Sequence, residues 1–270
     1  MTEVACVGDC CLDVYLAPVG RVLVGGSCLN VAVGLQLRGV EAAYTGPIGD
    51  DAAGLRVLAL LSDCGVDASH ARRVTGARTA VTDILLEAAG ERRFLHEDYA
   101  IQESYAPSED DWAWLAAIGV VHSSRMPQHL EHLRALGASG ARVSYDFTTD
   151  PVPDRLDGLD VVFVPAEALR GRQPAEAAAD LVARGAACAV VTRGALGALA
   201  ATREAIEEVA AVPLGGVVDT CGAGDAFIAA FLAERLAGAS LEACLAAGAH
   251  AGAAACTHLG AVVQQGFPLD

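Results

Sequence analysis

Val218-Asp219-Thr220-Cys221-Gly222-Ala223-Gly224-Asp225-Ala226-Phe227 sets two glycines and two aspartates directly before the apolar run Ala226 to Ala237. That run reads as a buried helix, so Gly222-Ala223-Gly224 is the turn that starts it. Backbone N–H groups at a helix N-terminus have no acceptor within the helix. Without bulky side chains in the way they can close on an anion, and the helix dipole adds attraction. Asp225 then sits where a carboxylate can meet the group that reacts with that anion. An anion cradle beside a carboxylate is what phosphoryl transfer to a hydroxyl needs. Alone, a G-x-G-D sequence is better explained as a glycine-rich helix start with an acidic cap, so the rest of the chain decides.

Composition narrows the choices. All 18 basic residues are arginines, against 34 acidic residues, giving a formal charge of −16 over 270 residues. Such a chain is a poor candidate for non-specific binding to nucleic acid or anionic membranes. An anionic ligand must be held by local backbone or arginine geometry. The absence of lysine excludes a P-loop, a protein-kinase strand lysine and Schiff-base chemistry. Hydrophobic residues make up 53% of the chain, ample for a sizeable core. The cysteines (Cys6, Cys10, Cys11, Cys28, Cys64, Cys188, Cys221, Cys244 and Cys256) include no C-x-x-C pair and are odd in number. Most lie in apolar surroundings, as small buried residues do. No signal-peptide pattern opens the chain, since Val4 to Val7 is short and runs into Gly8-Asp9. The longest apolar candidate for a membrane span, Ala243 to Thr257, is rich in alanine and glycine and carries His250. These features read as a reduced cytoplasmic protein with no nucleic-acid or membrane partner.

In order along the chain, Glu3 to Val7 predicts a first buried strand. Leu12 to Leu16 and Arg21 to Val24 predict short strands around Pro18 and Gly20. Asn30 to Leu37 has helical spacing, Ala42 to Thr45 is strand-like, Gly46 to Asp50 is a turn, and Ala52 to Cys64 is a helix. Thr79 to Glu87 and Arg92 to Glu97 predict a hairpin around Ala88-Ala89-Gly90-Glu91, polar enough to have an exposed face. Ser108 caps a helix with acids in its first turn. Val120-Val121, Val143 to Phe147, Val161 to Val164 and Cys188 to Thr192 then alternate with helices around Leu130 to Leu136 and Pro174 to Arg184. Such alternation indicates a parallel sheet covered on both faces. Two more short strands follow Gly197, and Leu241 to His258 predicts a final helix. With no Pro/Ser-rich linker and no internal repeat, residues 1–270 read as one domain with an accessory flap.

In sheets of this type ligands bind at the carboxyl ends of strands. Asp9 and Asp13, Gly25-Gly26 with Asn30, Asp146, Thr192 to Gly197, and the opening stretch all fall at such ends. Together they resemble the ribokinase/PfkB family of carbohydrate kinases. The carboxy-terminal family motif, D-T-x-G-A-G-D, is matched by Asp219 to Asp225, with Cys221 in the variable place. The amino-terminal motif is matched by Gly25-Gly26, Asn30, Ala32, Gly39 and Gly49, and a T-x-G-x-x-G element by Thr192, Gly194 and Gly197. Within the family, the texture of Gly8 to Tyr15, Gly25 to Val33, Asp111 to Ala116, Val121-His122, Tyr145-Asp146-Phe147 and Val218 to Leu232 resembles the bacterial fructoselysine-phosphorylating subgroup.

The resemblance implies a ribokinase-like three-layer α/β/α fold, with a mostly parallel central sheet and a small β lid at about 10–24 and 78–99. It implies an ATP-dependent kinase in which Asp225 takes the proton from the acceptor hydroxyl. The N–H groups of Gly222, Ala223 and Gly224 would stabilise charge on the transferred phosphoryl. Asp13, Gly25, Gly26 and Asn30 would hold sugar hydroxyls. Thr192, Gly194 and Gly197 would border the ATP phosphates and ribose, with Thr220 nearby and the final helix near His250 walling the adenine. Mg²⁺ would accompany ATP, and family members often use a potassium ion near the Asp219-Thr220 loop. The lid would close over the sugar, and in the family it often pairs with a second subunit. A base beside a helix N-terminus has its charged form favoured, so Asp225 is expected to be ionised at neutral pH.

Alternatives stand beside these expectations. The acceptor is expected to be a fructoselysine-like ketosamine, with fructose, ribose, a ketodeoxysugar or a nucleoside as other acceptors and an idle sugar- or nucleotide-sensing protein as a different class. Asp13 fits a sugar ligand better than a turn residue. Asn30 reads as a helix N-cap, a ligand, or both. Asp146 divides evenly between a site residue and a strand-end turn. His122, His129 and His132 are weak as a metal cluster, because His129 and His132 flank Leu130-Glu131 on an exposed helix face. Arg92, Arg93 and Arg125 suit a carboxylate-bearing substrate, though surface solvation explains any one of them better. Trp112 and Trp114, two apart on a helix, cannot share one face. Two departures from the family pattern stand out. Pro165-Ala166-Glu167-Ala168-Leu169 lacks the usual N-x-x-E, which puts metal placement in doubt, and Cys28 replaces a smaller residue.

Overall fold

The computed structural model describes residues 2–87 and 90–269; Ala88 and Ala89 of the expected hairpin turn lie outside them. The chain runs through β1 (Val4–Gly8), β2 (Cys11–Tyr15), β3 (Arg21–Gly25), α1 (Ser27–Gln36), β4 (Ala42–Thr45), β5 (Pro47–Gly49), α2 (Ala52–Asp63), β6 (Arg72–Val74), β7 (Ala80–Leu86) and β8 (Arg92–Asp98). It continues through α3 (Glu109–Ile118), β9 (Val120–Ser124), α4 (Leu130–Ala138), β10 (Arg142–Asp146), β11 (Val161–Pro165), α5 (Pro174–Ala183), β12 (Cys188–Thr192), β13 (Ala198–Ala201) and β14 (Ile206–Val209). It ends with α6 (Ala223–Leu236), α7 (Leu241–Ala255) and β15 (Phe267–Pro268).

The central sheet has the order β14-β13-β12-β11-β10-β9-β1-β4, parallel from β4 to β12 and antiparallel at β13 and β14. Its inner strands, such as β1 and β11, are apolar and buried on both faces because both faces are covered, while the edge strand β14 is half-exposed. Cys6, Phe163 and Val190 point into a core shared with α1, α2, α6 and α7. Their neighbours Val7, Val162 and Val191 point into a second core beneath α3, α4 and α5. The result is the three-layer α/β/α arrangement expected from the sequence. After β1 the chain goes to β4 on one side and later returns to β9 on the other. The carboxyl ends of β1 and β9 therefore flank the crevice where ligands bind in such sheets.

The lid is a second sheet of order β15-β3-β2-β7-β8. β2 pairs in parallel with β7, while β15–β3, β2–β3 and β7–β8 are antiparallel. β8 is an open edge that exposes Phe94 and Leu95. β15, contributed by the chain's last residues, was not anticipated: a two-residue strand has no periodicity to read.

Two local expectations need correction. Gly46 to Asp50 is more than a turn, since Pro47–Gly49 pairs in parallel with β6. The first helix begins at Ser27, three residues before Asn30. Its exposed N–H groups are met from a distance. Asp9, at the end of β1, accepts from the Ser27 and Cys28 N–H groups, each at 3.0 Å. A cap supplied from 18 and 19 residues away leaves no local cap pattern to read. Ser108, by contrast, forms the expected cap on α3 in a reciprocal box with Asp111.

Helices α1 and α6, which carry the two motifs, cross closely at Gly34. A Cβ there would lie 2.6 Å from the Cβ of Ala229. Overpacking of this kind costs about 1–3 kcal/mol, more than valine gains over glycine in helix propensity. Gly34→Val is expected to lower the urea midpoint with little change in slope; an unchanged midpoint would mean that the two helices yield.

Candidate active site

The first turn of α6 has the shape the opening stretch requires. Gly222 takes φ 73°, the left-handed region that favours glycine, and a Cβ on it would run into Ala261. A Cβ on Gly224 would meet open space, so this side of the turn is clear for a ligand. Among the described residues, the N–H groups of Gly222 and Gly224 have no internal acceptor. The Ala223 N–H donates to the Thr220 carbonyl at 3.3 Å, so the turn itself uses one of the three expected anion donors.

Asp225 faces α1. It accepts from Ser27 Oγ and from Asn30 Nδ2, each at 2.8 Å. Asn30 is therefore no N-cap; it lies inside α1 and orients Asp225. Its Oδ1 is buried without a partner, an acceptor left for an incoming donor. Ser27 Oγ also stands 3.5 Å from Asp146 Oδ2. The other oxygen of Asp146 accepts from the Thr148 N–H and hydroxyl at 3.0 and 2.7 Å. Asp146 is thus both a strand-end turn residue and a neighbour of the site.

Gly25 and Gly26 act as spacers. A Cβ on Gly25 would run into the Asp13 carboxylate, and one on Gly26, at φ 109°, into Cys10. Asp13 is buried, with Cys11 Sγ 3.3 Å from its Oδ1. Burial pushes Asp13 and Asp146 up to about 7, with Asp225 adding to the rise in each. Burial also raises Asp225, against the lowering by Asn30 and Ser27. The net depression expected from the helix N-terminus does not occur, because desolvation is the larger effect.

The loop before α6 is tied to the lid. Asp219, fully buried, accepts from Tyr15 Oη at 2.6 Å and from the N–H groups of Cys221 and Gly260 at 2.9 and 2.8 Å. Thr220 N–H donates to the Gly90 carbonyl at 3.0 Å. Arg92 Nη1 returns two bonds, to the Thr220 carbonyl at 3.0 Å and its hydroxyl at 3.2 Å. Arg92 is therefore no solvated surface group. Nor is Arg125, whose Nη2 donates to Glu97 at 3.0 Å and to Tyr99 Oη at 2.7 Å. Arg93 is exposed, as surface solvation requires.

Thr192 ends β12 and opens a 3-10 turn over Gly194–Leu196. Gly194 at φ 53° is exposed with nothing near its missing Cβ. Gly197 at φ 90° lies against Val209 and Ala210. His250 is exposed on α7, whose Gly248 and Gly252 lie against Phe227 and Ala223 of α6 and which also packs on β13 and β14. Helix α7 thus links the start of α6 to the two strands that follow the Thr192 turn. Pro165 to Leu169, in place of N-x-x-E, forms a 3-10 turn with Glu167 exposed.

His122, His129 and His132 are engaged in packing and hydrogen bonds. His122 is buried, with Nδ1 3.0 Å from Ser144 Oγ, and burial lowers it to about 3. His132 stacks on Trp112, and Trp114 stacks on His70, so the two tryptophans do face different ways. Among the described residues, no group of three or more His, Cys, Asp or Glu is placed to hold a metal, and no helix is long and apolar enough to cross a membrane.

Next to Asp9 opens a cleft of about 400 Å³ between the lid and the carboxyl ends of β1 and β9, whose walls include neither Asp13, Asn30, Asp146 nor Asp225. Asp9, Cys11, Asp98, Tyr99, Glu103, Arg125 and Asp150 are among its walls.

The model of the pfkB family of carbohydrate kinases matches residues 1–265. The chain belongs to this family. It is 34% identical to fructoselysine 6-kinase of Shigella flexneri and 33% identical to that of Escherichia coli K12, in each case over 92% of this chain and 95% of the relative. The fold superimposes on Arabidopsis thaliana ribokinase complexed with ribose and ATP at a TM-score of 0.86 and 25% identity, covering 97% of this chain and 95% of the other. As a pfkB carbohydrate kinase it is a phosphotransferase, and its relatives act on small-molecule sugars. Two residues beside the candidate site carried no sequence signal: Ser27 was hidden beside two glycines, and Tyr15 reads as an ordinary strand residue; Arg92 was a candidate for a substrate carboxylate, whereas the structure turns it to Thr220.

The raised Asp146 gives a pH signature. Its folded value lies above its unfolded one, so its contribution to stability is complete below about pH 4 and is lost as the pH rises through about 7. Asp146→Asn removes that loss. Denaturation titrations are expected to find the variant gaining on the wild type by about 2–4 kcal/mol between acid and mildly alkaline pH. A difference that stays constant with pH would show that Asp146 titrates normally.

Proposed function

We propose that the protein transfers the γ-phosphoryl group of ATP to a hydroxyl of a sugar–amine conjugate, a fructoselysine-like ketosamine, with Asp225 as the base. The observation that carries this reading is Asp225 itself. It is held by Ser27 and Asn30 at the mouth of a helix whose Gly222 and Gly224 N–H groups are unengaged. A burial-raised carboxylate is a better base than a solvated one, and the loose transition state lets proton removal come late. The acceptor hydroxyl would donate to Asp225, while another hydroxyl donates to the free Asn30 Oδ1. Asp13, which is buried, would take a further hydroxyl of the sugar. The Gly222 and Gly224 N–H groups would meet charge on the transferred phosphoryl. Thr192, Gly194 and Gly197, with Thr220 and the α7 surface at His250, would receive the nucleotide. Mg²⁺ would enter as Mg–ATP.

The acceptor preference rests on the cleft. Asp98, Glu103 and Asp150 with Arg125 give it both charges, which suits a substrate bearing an amine and a carboxylate. Tyr99 is the one aromatic among its lining residues, so stacking support for a nucleoside base is thin. The relatives named fructoselysine 6-kinase agree with this preference. The open β8 edge, with Phe94 and Leu95 exposed, would pair with the lid of a second copy.

Coupled ADP release over fructoselysine, fructose, ribose, 2-keto-3-deoxygluconate and adenosine tests the acceptor. Fructoselysine is expected to give the highest kcat/KM; turnover of fructose or ribose at equal efficiency would reject the ketosamine assignment. Glu103→Gln and Asp150→Asn should raise KM for fructoselysine while leaving slow fructose turnover unchanged. Asp225→Asn should lower kcat by about 10²–10⁴ with ATP binding retained by calorimetry, and an active variant would refute the base assignment.

A further inference from the structure

The buried aspartates leave a charge to be balanced. Asp9, Asp13, Asp146 and Asp219 are buried and Asp225 is half-buried, in a chain without lysine. The family resemblance would supply a potassium ion near Asp219-Thr220. The donor set there does not fit one. The Asp219 carboxylate already accepts the Tyr15 hydroxyl and the Cys221 and Gly260 N–H groups. The Thr220 carbonyl and hydroxyl both accept from Arg92 Nη1. A cation would have to displace a guanidinium from oxygens it holds at 3.0 and 3.2 Å.

We infer that Arg92 is the built-in cation of the phosphate-binding loop, a positioning residue on the lid that does there what a monovalent metal ion would otherwise do. Three features support it. A guanidinium is charged at every working pH and donates in a fixed fork, so it orients a carbonyl and a hydroxyl together. Its charge reaches the site, opposing the burial-driven rise of Asp13, Cys221 and Asp225. And it comes from β8, beside the Gly90 carbonyl that accepts the Thr220 N–H. The strand that borders the sugar cleft and the loop that starts α6 are therefore joined in both directions, and formation of the lid hairpin sets the turn that aims the Gly222 and Gly224 N–H groups. The inference rests on the assignment of those groups as the phosphoryl cradle.

Steady-state ADP release by the full chain, in tetramethylammonium, sodium and potassium chloride at equal ionic strength, tests it. The wild type is expected to show the same kcat within about threefold, below the roughly 5–150-fold of a coupled effector. A larger activation by potassium overturns the inference. In Arg92→Met, kcat should fall by about tenfold to a hundredfold and be restored in part by free guanidinium, which a merely structural role would not allow. Thermal melting gives a readout without turnover: potassium should raise the melting temperature of Arg92→Met relative to tetramethylammonium and leave the wild type unmoved. A variant that turns over and melts like the wild type rejects the role. If no sugar is phosphorylated in any salt, the kinase assignment of the cradle fails, while the melting comparison still decides whether Arg92 stands in for a cation.

Discussion

The Asp219 carboxylate holds the site together. It is fully buried and takes one donor from the lid strand β2, one from its own loop and one from the segment after α7. A buried carboxylate is tolerable only when its lone pairs are filled. These donors therefore fix three separate parts of the chain relative to one another, and with them the turn at Gly222. The left-handed φ of Gly222 and the open side of Gly224 follow from that anchoring, since the helix must begin at one place and face one way.

The remaining carboxylates are arranged by a contest between desolvation and hydrogen bonding. Asp9 is spent on capping α1, with Ser124 Oγ as a further donor at 3.0 Å. Asp225 is steered by Ser27 and Asn30. For Asp13 and Asp146 burial outweighs the lowering by Cys11 and Thr148, and both rise to about 7. With no lysine anywhere in the chain, neutralisation falls to arginine and backbone N–H groups, and both come from elements that meet only after folding.

Most of the fold was legible because parallel strands covered on both faces show as short apolar runs between helical segments. Expected strands such as Ala42 to Thr45, Val143 to Phe147, Val161 to Val164 and Cys188 to Thr192 fall within a residue of those observed, while Val120-Val121 extends to Ser124. The misreadings share a cause. The start of α1 is fixed by Asp9, the Pro47–Gly49 strand by β6, and the last lid strand by β3. In each case the stabilising partner lies far off in sequence. The upward direction for Asp225 was out of reach for a related reason: the helix dipole is local and can be foreseen, whereas the burial that outweighs it depends on α1 packing against the carboxylate.

By itself the sequence determined the α/β class, the order of the elements, the glycine turn before α6 and the pairing of two distant motifs. These rest on residue type and spacing, which the chain carries locally. Only the tertiary structure decided that Asn30 orients Asp225 instead of capping a helix, that Gly25 and Gly26 make room for Asp13 and Cys10, and that Arg92 reaches back to Thr220. Direction of a side chain, depth of burial and identity of a distant partner are properties of the packed molecule. They arise when hydrophobic burial brings the two helices and the lid together, and no spacing along the chain encodes them one residue at a time.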